Sequence, residues 1–130
     1  MDIQWKRGSQ ITDEIITAAE SAYGISLPQD FKDIVKKHNN GRPSISTFDS
    51  PIGKEHEVKK LISLKNNDVE NIYKVKNVLS SIDTALFPIA IDPAGNIICF
   101  RNGKIVYLLN ETEEVVPLAN SFSEFLSKLY

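Results

Sequence analysis

The fold is decided between residues 87 and 118, which read FPIAIDPAGNIICFRNGKIVYLLNETEEVVPL. Four short apolar runs in this stretch are separated by only two to four turn residues. Connections this short join antiparallel neighbours, because a parallel pair needs a crossover of about a dozen residues or more. The stretch therefore predicts a four-stranded antiparallel meander, with strands at 87–91, 96–101, 104–109 and 114–118.

Two of the connecting turns have recognisable types. Asp92-Pro93-Ala94-Gly95 is typical of a type I turn followed by a glycine with positive φ. Asn102-Gly103 is the strongest two-residue signal for a β-hairpin, because both residues tolerate left-handed backbone angles. A carboxylate at the end of a strand also fits a catalytic residue, but an aspartate that opens a type I turn is explained by the turn itself.

Helical patterns precede the meander. Thr12 and Gly24 are a cap and a stop signal for a first helix over residues 12–23. The sequence Ser26-Leu27-Pro28-Gln29 has the spacing of a capping box, which predicts that a second helix begins near Pro28.

Further elements complete the fold class. Residues 44–48 and 57–64 are short β-branched or alternating runs, and both are predicted to be strands. A third helix is predicted from a cap signature at 67–70, with an apolar stripe that begins at Val69, and a capping box at 121–124 opens a C-terminal helix. The sequence thus predicts one α+β domain over residues 1–130, an antiparallel sheet with N-terminal helices and a C-terminal helix packed on it.

Composition restricts the function. The 130 residues carry 15 basic and 17 acidic side chains, a net charge of -2, which gives no electrostatic signature for nucleic acid or an anionic membrane. The first residues lack the apolar run of a secretory signal, so a cytoplasmic protein is expected. The single cysteine, Cys99, lies in an apolar run and is predicted to be a buried thiol.

The charge is unevenly distributed. Residues 79–130 carry three basic and six acidic side chains, so this part has a net charge of -3. The best candidates for a negative surface that faces a basic partner are Glu111, Glu113 and Glu114, together with Asp92 and Asp83. The alternative is a polar hairpin loop that keeps the protein soluble, and the three glutamates are exposed in either case.

Other residue types offer little chemistry. His38 ends a helix and His56 sits in a charged stretch, and neither has a metal-ligand or catalytic partner at a recognisable spacing. The glycines are dispersed singly, which disfavours a phosphate-binding loop. We therefore expect no enzyme activity, cofactor or metal.

Trp5 is either an exposed anchor for a partner or a residue packed under the first helix.

An ordered series of motifs resembles the SUKH superfamily, which includes bacterial immunity proteins and fungal cell-wall assembly regulators. The series covers residues 10 to 130 and departs from the usual pattern at Arg42-Pro43, where family members often have a second glycine. Its members are LPQDF at 27–31, NNG at 39–41, FPIAID at 87–92, GNIICF at 95–100, LANSF at 118–122 and EFL at 124–126.

The resemblance implies a function in binding. It implies that the chain binds a cognate toxin, commonly a nuclease or another toxic C-terminal domain, and neutralises it by occlusion, as a monomer or weak homodimer. The alternative is a non-catalytic regulatory adaptor of the kind that the fungal relatives suggest. A third and weaker class is an enzyme or small-ligand binder that uses a pocket between sheet and helices.

Overall fold

The computed structural model describes residues 2–130 and contains four helices and nine strands within them. The helices are α1 (Asp13–Tyr23), α2 (Gln29–His38), α3 (Ile72–Ile82) and α4 (Phe122–Ser127). The strands are β1 (Trp5–Lys6), β2 (Arg42–Pro43), β3 (Thr47–Ser50), β4 (Gly53–Glu57), β5 (Lys60–Leu61), β6 (Leu86–Ile91), β7 (Ile97–Arg101), β8 (Lys104–Leu108) and β9 (Val115–Ala119).

The main sheet confirms the predicted meander. Strands β6 to β9 are antiparallel neighbours in chain order, and β5 adds a short fifth strand beside β6. The β7–β8 turn has positive φ at both central residues, 53° at Asn102 and 81° at Gly103, as a type I′ turn requires. The α+β class and the helices packed on the sheet are confirmed as well.

The two faces of the sheet carry different hydrophobic clusters because side chains alternate along each strand. The larger cluster packs under α1, α2 and α4, where the Phe31 ring meets Phe100 and Phe122 edge to face at 5.2 and 5.1 Å between centroids. The smaller cluster lies under α3, where Leu79 packs with the buried Cys99. Burial raises the pKa of the Cys99 thiol, so the residue acts as a small apolar side chain.

Most predicted helix ends are confirmed. The Thr12 hydroxyl accepts a hydrogen bond from the amide of Ile15, and Gly24 ends α1 with a φ of 66°. The Ser121 hydroxyl accepts from the amide of Glu124 at the start of α4.

The second helix begins near Pro28 as predicted, but its predicted capping box and the predicted start of the third helix are wrong. Helix α2 begins at Gln29 with Pro28 in the cap position, and no side chain caps it, so Ser26 does not form a capping box. Helix α3 begins at Ile72, where Asn71 accepts hydrogen bonds from two backbone amides. Val69 lies before the helix and is 84% exposed.

The segment before α3 is shaped by a buried polar cluster. Asn39 donates through Nδ2 to the Ser63 hydroxyl at 2.9 Å and accepts from the amide of Leu64 at 2.9 Å. The Ser63 hydroxyl in turn donates to the carboxylate of Asp68 at 2.5 Å. These long-range bonds hold residues 63–71 in a loop where the spacing of cap residues predicts a helix start.

The predicted strands 44–48 and 57–64 are only partly correct. Their residues contribute to β3, to the end of β4 and to β5, while 62–64 are outside the strands. Strands β3 and β4 form a separate hairpin, and β1 pairs with β2 in another two-stranded sheet. Short, separately paired strands of this kind leave little alternation in the sequence to mark their ends.

Candidate functional site

The connection between β8 and β9 is an exposed acidic loop, residues 109–114. Glu111, Glu113 and Glu114 are exposed, and none of them forms an ion pair with any residue from 2 to 130. Elsewhere in the described part of the chain, five carboxylates are paired with lysine or arginine. The negative charge of the acidic loop is therefore available to a partner.

The acidic loop is closed by its own backbone. The amide of Glu113 donates to the carbonyl of Leu109 at 2.9 Å, and the amide of Leu109 donates to the carbonyl of Glu114 at 2.9 Å. Glu113 has a φ of 60°, a left-handed conformation that turns the chain back towards β9. The glutamates thus project from a closed turn.

A network of four side chains, Asp92, Asn96, Tyr107 and Asn110, fastens the acidic loop to the neighbouring hairpin turn. The Asn96 side chain donates to Asp92 Oδ2 at 3.0 Å and accepts from the amide of Asn110 at 2.9 Å. The Asn110 side chain donates to the carbonyl of Ala94 at 3.2 Å. We call these four residues the support network.

Asp92 is the centre of the support network. Its carboxylate accepts from the amides of Ala94 and Asn96 at 2.9 and 2.8 Å and from the hydroxyl of Tyr107. Burial and, secondly, the hydrogen bond to Asp92 raise the pKa of Tyr107, so its hydroxyl stays protonated as a donor. A buried carboxylate with this many donors is well satisfied and rigidly placed.

The β3–β4 hairpin lies against the support network. The His56 ring lies 5.2 Å from the rings of Phe48 and Tyr107, between centroids. His56 Nε2 is 2.9 Å from the Ser50 hydroxyl. The contact with Tyr107 brings the hairpin, with its exposed carboxylates Asp49, Glu55 and Glu57, towards the same end of the sheet as the acidic loop.

Two predicted members of the acidic surface require correction. Asp92 is only 5% exposed, because it serves the turn and the support network, so it supports the surface from beneath. Asp83 caps α3 and lies 3.5 Å from Arg101 at the end of β7, which is the other end of the strands from the acidic loop. Consecutive turns of a meander lie at opposite ends of the sheet, so Asp83 cannot join Glu111, Glu113 and Glu114.

Trp5 lies in β1, half-buried, and its ring stacks on His38 at the end of α2 with 6.3 Å between centroids. Its aromatic partner thus belongs to α2, whereas the alternative from the sequence placed it under α1. Trp5 does not lie in the acidic loop or the support network. It borders a separate groove, described below.

Among residues 2–130 no group of three His, Cys, Asp or Glu side chains could hold a metal ion. The hydrogen bond between Ser50 and His56 was not foreseen from the sequence; the Ser50 hydroxyl also accepts from the amide of Ile52, as in a turn motif. None of the helices within residues 2–130 is long and apolar enough to cross a membrane.

Asn96, Tyr107 and Asn110 were not predicted from the sequence to be functional residues. A signal was present in the strand register, since Ile97 pairs with Leu108, and this places Asn96, one residue before β7, close to Asn110, two residues after β8. Asparagines at the ends of two paired strands are well placed to bond each other's turns. A register argument would therefore have brought Asn96 and Asn110 together.

Gly95 provides a test of the support network. It has a φ of 88°, and a Cβ there would lie 2.8 Å from Asn110 Nδ2. Gly95→Ala is therefore expected to destabilise the fold by about 1–2 kcal/mol and to loosen the acidic loop. Urea unfolding measures the first effect, and amide hydrogen exchange of 109–114 the second.

Gly24→Ala is the matched control. Gly24 also has a positive φ, 66°, but nothing lies within 4 Å of its added Cβ. It should therefore show the backbone cost alone, with no change in exchange at 109–114. Equal behaviour of the two variants would mean that the contact with Asn110 does not hold the loop.

The pKa of Asp49, in the β3–β4 hairpin, tests whether its carboxylate contacts Tyr130. The hydroxyl of Tyr130 donates to Asp49 Oδ1 at 2.6 Å, and this bond, followed by the amide of Glu55, lowers the pKa of Asp49. The bond therefore stabilises the fold above the unfolded pKa of about 3.9, and this contribution is lost as the pH falls through the lower folded pKa.

Tyr130→Phe should raise the pKa of Asp49 towards its ordinary value, as measured by NMR titration of the carboxyl carbon. Glu70 is the internal control, because its pKa is lowered by Lys60 and should not change. An unchanged Asp49 titration would show that the Tyr130 hydroxyl is not its partner in solution.

Comparison with known protein families agrees with this architecture. The model of the SMI1 / KNR4 family (SUKH-1) matches residues 10–128. This range contains all four helices and every strand except β1. No curated protein matches the chain.

Proposed function

Because the chain belongs to the SMI1 / KNR4 family (SUKH-1), we propose that it is a cytoplasmic immunity protein that binds and neutralises a cognate bacterial toxin. The proposed partner is a protein with a basic surface, such as a nuclease or another toxic C-terminal domain. The chain acts without a cofactor and without catalysis, as a single domain.

The observation that carries this proposal is the acidic loop on its support network. Three exposed carboxylates, which form no ion pair with any residue from 2 to 130, are held on a loop whose position is fixed by hydrogen bonds of the support network. Charges that are already in place when a partner approaches accelerate encounter and select for a surface of opposite sign. A rigid loop also loses little conformational entropy on binding.

The proposed mechanism is occlusion. The acidic loop and the β3–β4 hairpin meet the basic surface with which a nuclease binds its phosphate-rich substrate, and the end of the sheet then covers that surface. No bond of the toxin is changed in this mechanism. Inhibition should therefore be reversible and should follow one-to-one binding.

The experiment uses the product of the neighbouring gene. If that gene encodes a toxin with a secretion domain, the purified chain should capture the toxin domain and its co-expression should restore growth. Reversal of charge at Glu111, Glu113 and Glu114 should weaken both effects. A locus without such a gene, and capture of a resident host enzyme instead, would favour the regulatory adaptor and contradict the proposal.

A further inference from the structure

A groove of about 580 Å³ lies between the N-terminal segment and helices α2 and α4, away from the acidic loop. Its walls are mostly half-buried apolar side chains, so the groove can accept an apolar side chain of a partner. The apolar residues that line it are Ile3, Trp5, Ile34, Ile45, Leu126 and Leu129.

Residues 2–5 line the groove, and β1, which begins at Trp5, pairs with β2 on one side only among the described residues. Gln4 exchanges hydrogen bonds with Ser44, through its amide to the Ser44 hydroxyl and through its carbonyl to the Ser44 amide, at 2.9 and 2.8 Å. Peptide groups alternate in direction along a strand, so those of Ile3 and Trp5 point away from β2. In residues 2–130, no strand pairs with β1 on that side.

The charged side chain that lines the groove is negative. Asp2 is the one charged side chain that lines it among the described residues. The next carboxylate, Asp30, accepts hydrogen bonds from the amide and hydroxyl of Ser123, which lines the groove, at 2.9 and 2.8 Å. With no lysine or arginine in its wall, the groove is complementary to a segment that combines apolar and cationic residues.

We infer that this groove binds an extended segment of a partner protein, which adds to β1 as a further strand. Main-chain hydrogen bonds to Ile3 and Trp5 orient the bound segment. One of its apolar side chains enters the groove beside Ile34, and one of its lysine or arginine side chains pairs with Asp2. The inference rests on the proposed function only in that the partner is a protein. It assigns Trp5 to the wall of a binding groove.

A random seven-residue peptide library displayed on phage tests this inference with the purified full chain. Selection should enrich peptides that alternate apolar residues with lysine or arginine. Amide hydrogen exchange at Ile3 and Trp5 should slow when an enriched peptide is added, because their peptide groups become paired.

Two variants probe the two halves of the site. Ile34→Lys puts a charge in the groove. Ile3→Pro removes a backbone N–H that points away from β2 and makes no hydrogen bond with it. Each substitution should raise the Kd of an enriched peptide about tenfold or more. Asp33→Lys, on the same helix but outside the groove, and Ile3→Val, which keeps the amide, are the controls. Circular dichroism checks that each variant is folded.

The outcomes are distinct. Failure to enrich any peptide, or equal binding to wild type and to both variants, would overturn the inference. So would a chain that dimerises in sedimentation experiments and becomes monomeric with Ile34→Lys, because the groove would then hold a second copy. Reversal of the three glutamates in the acidic loop should not affect peptide binding, so this test is independent of the proposed function.

Discussion

Replacement of Glu111, Glu113 and Glu114 by lysine is expected to slow association with a basic toxin by about tenfold to a thousandfold at low salt. The three carboxylates are exposed and have no ion-pair partner from residue 2 to residue 130, so no paired cation there cancels their charge towards an approaching protein. Exposed charges at an interface act mainly on the encounter rate, so dissociation should change less. Stopped-flow association kinetics measure the effect.

Salt provides one control for this variant. The wild-type rate should fall steeply as salt increases from about 0.01 to 0.15 M, because the Debye length shortens from about 30 to 8 Å. The triple variant should lose that dependence or reverse it. The unfolding free energy should hardly change, since the three side chains are exposed.

A second control separates position from net charge. Glu111→Lys with Glu114→Lys can be compared with Glu14→Lys and Asp33→Lys, which are exposed residues of α1 and α2. Each substitution replaces -1 by +1, so both pairs change the net charge by four units. Equal slowing by the two pairs would show that overall charge acts, and that the acidic loop has no special place in recognition.

Phe125→Ala is expected to destabilise the fold by about 3–5 kcal/mol. Phe125 is 3% exposed, and its ring meets Phe48 edge to face with 5.4 Å between centroids. Phe48 in turn contacts His56 and Tyr107, so the cavity would open beside the β3–β4 hairpin and the support network. Because small domains are stable by only about 5–15 kcal/mol, the variant should be close to unfolding.

Chemical denaturation followed by circular dichroism measures this loss. Leu126→Ala on the same helix is the comparison, because Leu126 is half-exposed and its removal should cost clearly less. A partner-binding defect of Phe125→Ala should be rescued at low temperature, where the folded state is populated. A loss below about 1 kcal/mol would mean that α4 is not packed on the sheet in this way.

The parts of the fold that depend on local chemistry could be predicted. The meander follows from turns that the residues themselves specify, such as Asn102-Gly103, whose backbone angles few other pairs adopt. The caps at Thr12 and Ser121 likewise act within one helical turn. These signals are read over three or four residues and do not depend on the rest of the chain.

The parts set by distant residues could not be predicted. The start of α3 at Ile72 depends on Ser63, which is held by Asn39 from another element. The cap signature at 67–70 precedes the observed cap, Asn71, and the amide of Ile72 donates to the carbonyl of Ser63 at 3.0 Å. Likewise, Ser26 has the spacing of a capping residue, but Pro28 occupies the cap position of α2.

The candidate site divides in the same way. The exposure of Glu111, Glu113 and Glu114 follows from their place between two strands. The separation of Asp83 from them follows from which turns share an end of the sheet, and the burial of Asp92 from hydrogen bonds to Tyr107 and Asn96 across the meander. From composition alone, the five carboxylates belong to one acidic surface. The topology shows that only the three glutamates are exposed together on one loop.

The most direct measurement is hydrogen exchange by mass spectrometry on the chain, free and in complex with its proposed partner, a toxin domain. The account predicts slower exchange at 109–114 in the complex, with the outer surface of α3 unchanged. Unaltered exchange at 109–114 in a complex that still blocks the toxin would contradict it, because inhibition would then use a surface other than the acidic loop.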